Sequence, residues 1–226
     1  MKKFCLILAR KNSRRIKGKN MISFNGKPLV YWSILTAVKS NIFDTIILSS
    51  DWDKLIKFVK KFNFKNIKID KRPITLSTSS VTSEKVIRHL FNKYKIQKGY
   101  TALLQPTSPL RNLLHLKKMI GLAIRKKLQT LHSVSKIKNK TLINGGKNTI
   151  FNLPKKLKGQ PLYLNGSIYI FNNEYFLNNF SIKEKKGSYF FHEKKYSLDL
   201  DDLNDLKNFG AKYYLDNKKR LKVNAK

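Results

Sequence analysis

The chain has 226 residues, 41% hydrophobic and 12% aromatic, enough to bury a core and too apolar for a disordered basic tail. Lys and Arg number 48 against 13 Asp and Glu, for a formal charge of +35, yet these cations run through every segment and form no single stripe. The one cysteine, Cys5, excludes an internal disulfide, and no segment approaches membrane-spanning length.

Short apolar runs alternate with helical patterns, the signature of βαβ units around a mostly parallel, doubly wound α/β sheet. Strands are expected at residues 4–9, 45–49, 67–70, 101–104 and 131–135, with Cys5 a buried structural thiol in the first. Helical spacing of apolar residues occurs at 29–38, 55–62, 86–94 and 113–124. Pro28 suits the first turn of the first helix, and Thr82, Ser83 and Glu84 supply a cap and an acidic first turn for the third. Residues 136–162 are polar, with Gly145-Gly146, Pro154 and Pro161, and read as an excursion from the sheet. A strand returns at 167–171, a short helix fits 173–178, and 189–191 is another apolar stretch. A last strand at 196–201 is expected to feed a helix over 203–214. The whole reads as one domain over 1–226, with no leader or membrane insertion, in the cytoplasm.

Three stretches carry chemistry. "LARKNSRRIKGKN", residues 8–20, is a basic loop at the carboxyl end of the first strand, the edge where open α/β sheets bind ligands. It is neither a Walker A loop nor a GxGxxG turn, but its cations and backbone amides are able to enclose a triphosphate. A solvated basic loop accounts for the same residues. "SLDLDDLNDL", residues 197–206, gathers four of the 13 acidic residues. On a strand, Asp199 and Asp201 face one way and Leu198 and Leu200 the other, and two adjacent carboxylates call for a cation between them, Mg²⁺ for an oxygen site. Asp202 is alternatively a helix cap and Asp205 a surface residue. "LLQPTSPLR", residues 103–111, presents Gln105, Thr107, Ser108 and Arg111 at the same edge; as an ordinary strand-to-helix turn it would use Ser108 or Asn112 as the cap.

Together with "NGSIYIF" at 165–171, these stretches occur in the order and at roughly the separations of bacterial CMP-N-acetylneuraminate synthetases (acylneuraminate cytidylyltransferases) and their legionaminate-type relatives. The chain resembles that family over nearly its whole length. The resemblance implies a nucleotide-diphospho-sugar transferase-like fold that joins CTP to a nine-carbon α-keto acid sugar, with Mg²⁺ as cofactor and pyrophosphate as product, for surface glycans. By similarity, Arg10, Ser13, Lys19 and Asn20 hold the triphosphate and part of the nucleoside, and Arg72 and Ser83 contact the base. Ser79 stands where the family usually carries an acid. Gln105, Asn165 and Tyr169 match residues lining the sugar pocket; Lys155 lies where arginine is common, and Lys140 matches a sugar-contacting lysine whose usual preceding His-Pro is missing. Asp199 and Asp201 match the metal ligands; Arg10, Lys19 and Asp201 carry catalysis, and one of the two aspartates or a water on the metal takes the hydroxyl proton.

The four histidines fall outside the matched motifs. In the family the excursion, about residues 140–195 here, packs against a second subunit, which implies a homodimer. Two other readings stand beside this one. A basic nucleic-acid-binding protein would use the +35 charge directly, although no binding motif is present; a related nucleotidyltransferase of the same fold would take another sugar acid.

Overall fold

The structure is a computed structural model that describes residues 1–13, 15–136, 142–143, 149–184, 187–201 and 205. Its first strand, β1 (Lys3–Leu8), has no polar face: Phe4 and Leu6 pack to one side, Cys5 and Ile7 to the other. That pattern fits only a strand covered on both faces, as in parallel sheets flanked by helices. A small ribbon, β2 (Ser23–Phe24) with β3 (Lys27–Pro28), then leads into α1 (Leu29–Ser40). There follow β4 (Thr45–Ser50), α2 (Asp53–Lys60), β5 (Ile67–Lys71), α3 (Ser83–Tyr94), β6 (Tyr100–Leu104), α4 (Leu113–Arg125) and β7 (Thr130–Ser135). The alternation expected from the sequence is the observed one. Thr82 caps α3 by accepting from the Lys85 amide, and Asn112, rather than Ser108, caps α4 by accepting from the amides of Leu114 and His115.

Past β7 the chain forms β8 (Thr149–Phe151), β9 (Tyr163–Asn172), α5 (Asn173–Asn179) and β10 (Ser188–Phe191). The eight-stranded sheet runs β5-β4-β1-β6-β9-β7-β10-β8, and β9 alone among these lies antiparallel to its neighbours. Residues 149–151 therefore rejoin the sheet edge inside the stretch expected to leave it. β9 is also longer than its apolar part suggested, because Tyr163 and Leu164 continue the pairing with β7 across a bulge between His132 and Val134.

The strand expected at 196–201 is absent: Tyr196 ends a 3-10 turn, and the segment beyond it runs as a strap held to a loop, with the Leu200 amide donating to Thr107 O at 2.9 Å. The Leu–Asp alternation survives without a ladder because Leu198 and Leu200 pack against Phe24, Leu29 and Trp32. The expected helix over 203–214, apart from residue 205, and Lys140 lie outside the described residues.

β1 is the switch point of the sheet. From it the order steps outward through β4 and β5 on one side and through β6 on the other, so the loops after β1 and β6 diverge around a crevice. Cores on the two faces, one under α1 and α4 and one under α3 and α5, fix those strand ends.

Candidate functional site

A cleft of about 520 Å³ opens at this crevice, within the roughly 300–1,000 Å³ range of small-molecule pockets. The loop after β1 supplies Arg10, Ser13, Arg15, Lys19 and Asn20. The segment from β5 into α3 supplies Arg72, Leu76, Ser79, Val81, Thr82, Ser83 and Val86, and the turn after β6 supplies Gln105, Pro106 and Thr107. Every residue assigned from sequence to the nucleotide lines this one cleft, and Gln105 joins them.

The basic loop is built, not merely exposed. Gly18 takes φ +67°, where an added Cβ would also press on the Trp52 ring at 3.2 Å, and a short 3-10 turn follows at Lys19–Met21. That turn buries Lys19 and Asn20, and Asn20 ties the loop back by donating to Arg10 O at 2.8 Å. Arg10 reaches across the opening to donate to Thr78 O at 2.8 Å, and the Lys11 amide donates to Asp51. A freely solvated loop would bury neither a lysine nor an asparagine.

Lys19 and Arg15 meet the acidic strap. Asp201 Oδ1 accepts from Arg15 Nη2 at 2.8 Å and from Lys19 Nζ at 3.1 Å, while Arg15 Nε donates to the Asp201 carbonyl. The two most unusual stretches of the sequence, some 180 residues apart, are thus joined at one rim of the cleft. Arg15 was visible in the basic run, but nothing in the sequence distinguished it from its neighbours.

Asp199 lies against Gly166, whose φ of +71° and missing side chain leave room for its carboxylate: a Cβ there would sit 3.3 Å from Asp199 Oδ2. Among the described residues no group of three or more His, Cys, Asp or Glu gathers. A two-carboxylate seat nonetheless suits Mg²⁺, which keeps several waters and is completed by substrate phosphates. Asp199 and Asp201 have the oxygen donors such an ion takes, although Asp201 Oδ1 is here engaged by Arg15 and Lys19.

The residues assigned to the sugar do not assemble in the same way. Asn165 is fully buried, accepting from Ser133 Oγ at 2.6 Å and donating to Ser197 Oγ at 3.3 Å, and so braces the strap ahead of Asp199. Tyr169 is largely buried against the core under α3, and burial raises its hydroxyl pKa to about 12. Lys155 is exposed on a 3-10 turn beside β8, at the far edge of the sheet. None of the three is part of the cleft wall.

Two buried arginines stand behind the site. Arg111 donates to Ser167 O at 2.9 Å, Ser33 Oγ at 3.0 Å and Gln105 O at 2.7 Å, pinning β9, α1 and the end of β6 together. Arg72 donates to both the hydroxyl and the carbonyl of Ser49. Burial lowers each guanidinium pKa to about 10, still charged at neutral pH. Cys5 is buried, and desolvation pushes its thiol far up, out of reach as a nucleophile.

Comparison with known proteins agrees with this architecture. The chain is 29% identical over 217 residues to an N-acylneuraminate cytidylyltransferase of Streptococcus agalactiae, covering 91% of this chain and 52% of that protein. It is 36% identical over 115 residues to a pseudaminic acid cytidylyltransferase of Campylobacter jejuni, covering 50% of this chain and 49% of the relative. The chain thus spans about half the length of the curated relatives it matches. Among solved structures, a CMP:2-keto-3-deoxy-manno-octonic acid synthetase complexed with CTP superposes with a TM-score of 0.72 at 14% identity, covering 96% of this chain and 100% of that one. A 4-diphosphocytidyl-2C-methyl-D-erythritol synthase from Anaerococcus prevotii superposes at 0.65 with 15% identity, covering 95% and 98%. The family model described as Cytidylyltransferase matches residues 4–225, spanning both the basic loop and the acidic strap, and the chain belongs to the cytidylyltransferase family.

Proposed function

We propose that this chain transfers CMP from CTP to the anomeric hydroxyl of a nine-carbon α-keto acid sugar, releasing pyrophosphate. The observation that carries this reading is the meeting of Lys19 and Arg15 with Asp201 at the rim of the switch-point cleft. The acceptor class follows the names of the relatives, which act on N-acylneuraminate and pseudaminic acid.

In this reading the triphosphate lies against Arg10, Ser13, Lys19 and Asn20, with Arg15 added to the set. The cytosine lies toward Arg72 and Ser83, where Leu8, Leu76, Val81 and Val86 offer an apolar wall for a flat ring. Attack of the anomeric oxygen on the α-phosphorus builds negative charge on the transferred group and on departing pyrophosphate. Cations fixed in advance by the buried 3-10 turn stabilise that charge without reorganising at the moment of reaction. Asp199 and Asp201 would hold Mg²⁺, which supplies further neutralisation of the phosphate oxygens when bound. Gln105 is the sugar-side residue within the cleft. The reading places the enzyme in the cytoplasm, supplying activated sugar for surface glycans, as a homodimer in which residues of about 140–195 meet a second subunit near the sugar.

The test is pyrophosphate release with CTP and Mg²⁺, offering N-acetylneuraminate, legionaminate and pseudaminate in turn and the other nucleoside triphosphates as controls. Turnover that needs both CTP and one of these acids is the expected result. No turnover with any of them overturns the proposal.

A further inference from the structure

The cleft's buried arginine is held by a chain of groups that the catalytic reading does not use. Asp70, on β5, is fully buried; its Oδ2 accepts from Ser49 Oγ at 2.8 Å, and Ser49 Oγ in turn accepts from Arg72 Nε at 3.0 Å. Arg72 Nη2 also donates to Ser49 O at 2.8 Å, and neither bond uses Nη1. The other oxygen of Asp70 accepts from Lys93 Nζ of α3 at 2.6 Å, with His89 Nε2 at 3.7 Å.

Donor counting gives this chain a direction. A guanidinium only donates, so Ser49 Oγ must present a lone pair to Arg72, and its single proton has to point elsewhere. Asp70 Oδ2 is the acceptor placed to take it, which stops the hydroxyl from rotating. Two donors of a planar, rigid fork are then fixed on one residue, so the plane of Arg72 is fixed as well. Lys93 ties the same carboxylate to α3, the helix whose first turn brings Ser83 and Val86 to the cleft. The apolar wall and the cation above it are therefore registered to each other through Asp70.

We propose that Asp70 and Ser49 are positioning residues for base selection: they hold Arg72 in the plane needed to read a pyrimidine carbonyl, so that the cleft prefers the pyrimidine triphosphates, CTP among them, over ATP. This rests on the reading of the cleft as a CTP site. A buried carboxylate at the end of an edge strand would otherwise be an expensive way to hold one arginine that β-sheet pairing already places.

Equilibrium binding of CTP, UTP and ATP, measured by calorimetry on the full chain, separates the possibilities. In Ser49→Ala, CTP affinity should fall about tenfold while ATP affinity stays within twofold, collapsing the preference. Ser49→Thr, which keeps the hydroxyl and suits a strand, should restore it. Asp70→Ala alone should lower the preference at least as far as Ser49→Ala, because it frees the same hydroxyl and also releases Lys93 of α3 from the carboxylate. If the unaltered chain prefers CTP and Ser49→Ala keeps that preference, or weakens all three nucleotides alike, the positioning role is wrong and the proposed function stands. If the unaltered chain binds no triphosphate, the function reading fails and takes this inference with it.

Discussion

The two sides of the sheet differ in how far one chain completes them. On the β1, β4, β5 and β6 side, all six residues assigned to the nucleotide line one cleft, with Asn20 and Arg72 tied back by hydrogen bonds. On the β7 to β10 side, Asn165 and Tyr169 are absorbed into packing and Lys155 stands at the distant edge. Fixed charge thus gathers at one rim of the cleft, whereas the residues proposed for the acceptor stay apart. A second subunit is one source of such groups, as the proposed homodimer requires.

Asp201→Asn strikes the point where strap and basic loop meet. Loss of the charge that balances Lys19 and Arg15 should lower the rate of CTP-dependent pyrophosphate release by roughly 10²–10³-fold. Its circular dichroism should be unchanged; retained activity would remove Asp201 from the mechanism.

Arg111 ties the two sides together, and Arg111→Ala leaves Gln105 O, Ser167 O and Ser33 Oγ without their donor. Chemical denaturation should reveal a loss of about 4 kcal/mol, and Arg111→Lys should recover only part of it.

Acid should act mainly on the β7 to β10 side. Burial lowers the pKa of His132 from 6.5 to about 4 and that of His192 from 6.5 to about 3. The unfolded chain therefore takes up these protons before the folded one does. Their stabilisation is present above pH 6.5 and declines as pH falls, toward 4 for His132 and toward 3 for His192, by about 2 kcal/mol at pH 5 from His132 alone. Urea midpoints across that range should trace the decline, and His192→Phe, replacing a ring packed on Phe190 and Tyr196's neighbour His115, should make it shallower.

The smallest effect is expected from Lys155→Ala. An exposed lysine at the far edge should leave the KM for CTP within twofold, so any change confined to the sugar KM would assign it to the acceptor side.

Most of the fold was legible because parallel strands buried on both faces read as short apolar runs, and α1 to α4 carry clear helical spacing. The cation cluster alone was equally readable as a solvated loop; it was the resemblance that named Arg10, Ser13, Lys19, Asn20, Arg72 and Ser83, and all six line one cleft. The strap misled because its Leu–Asp alternation is that of a strand, yet its partner is the Thr107 carbonyl in a loop. Asp70 was missed for a different reason. Ending an ordinary strand, it gave no local pattern, and only its rarity in a chain with 13 acids could have singled it out.

β9 enters the sheet from the ligand edge, opposite to every strand beside it, and is paired on both flanks. Gly166 therefore sits near its entry, close behind the connection from β8, while the turns around residues 95–99 and 126–129 lie at the other end of the sheet. Insertions or tags at those distal turns should pass unnoticed by catalysis. Changes in the run between Phe151 and Tyr163, by contrast, act on the connection that delivers Gly166 and the floor beneath Asp199.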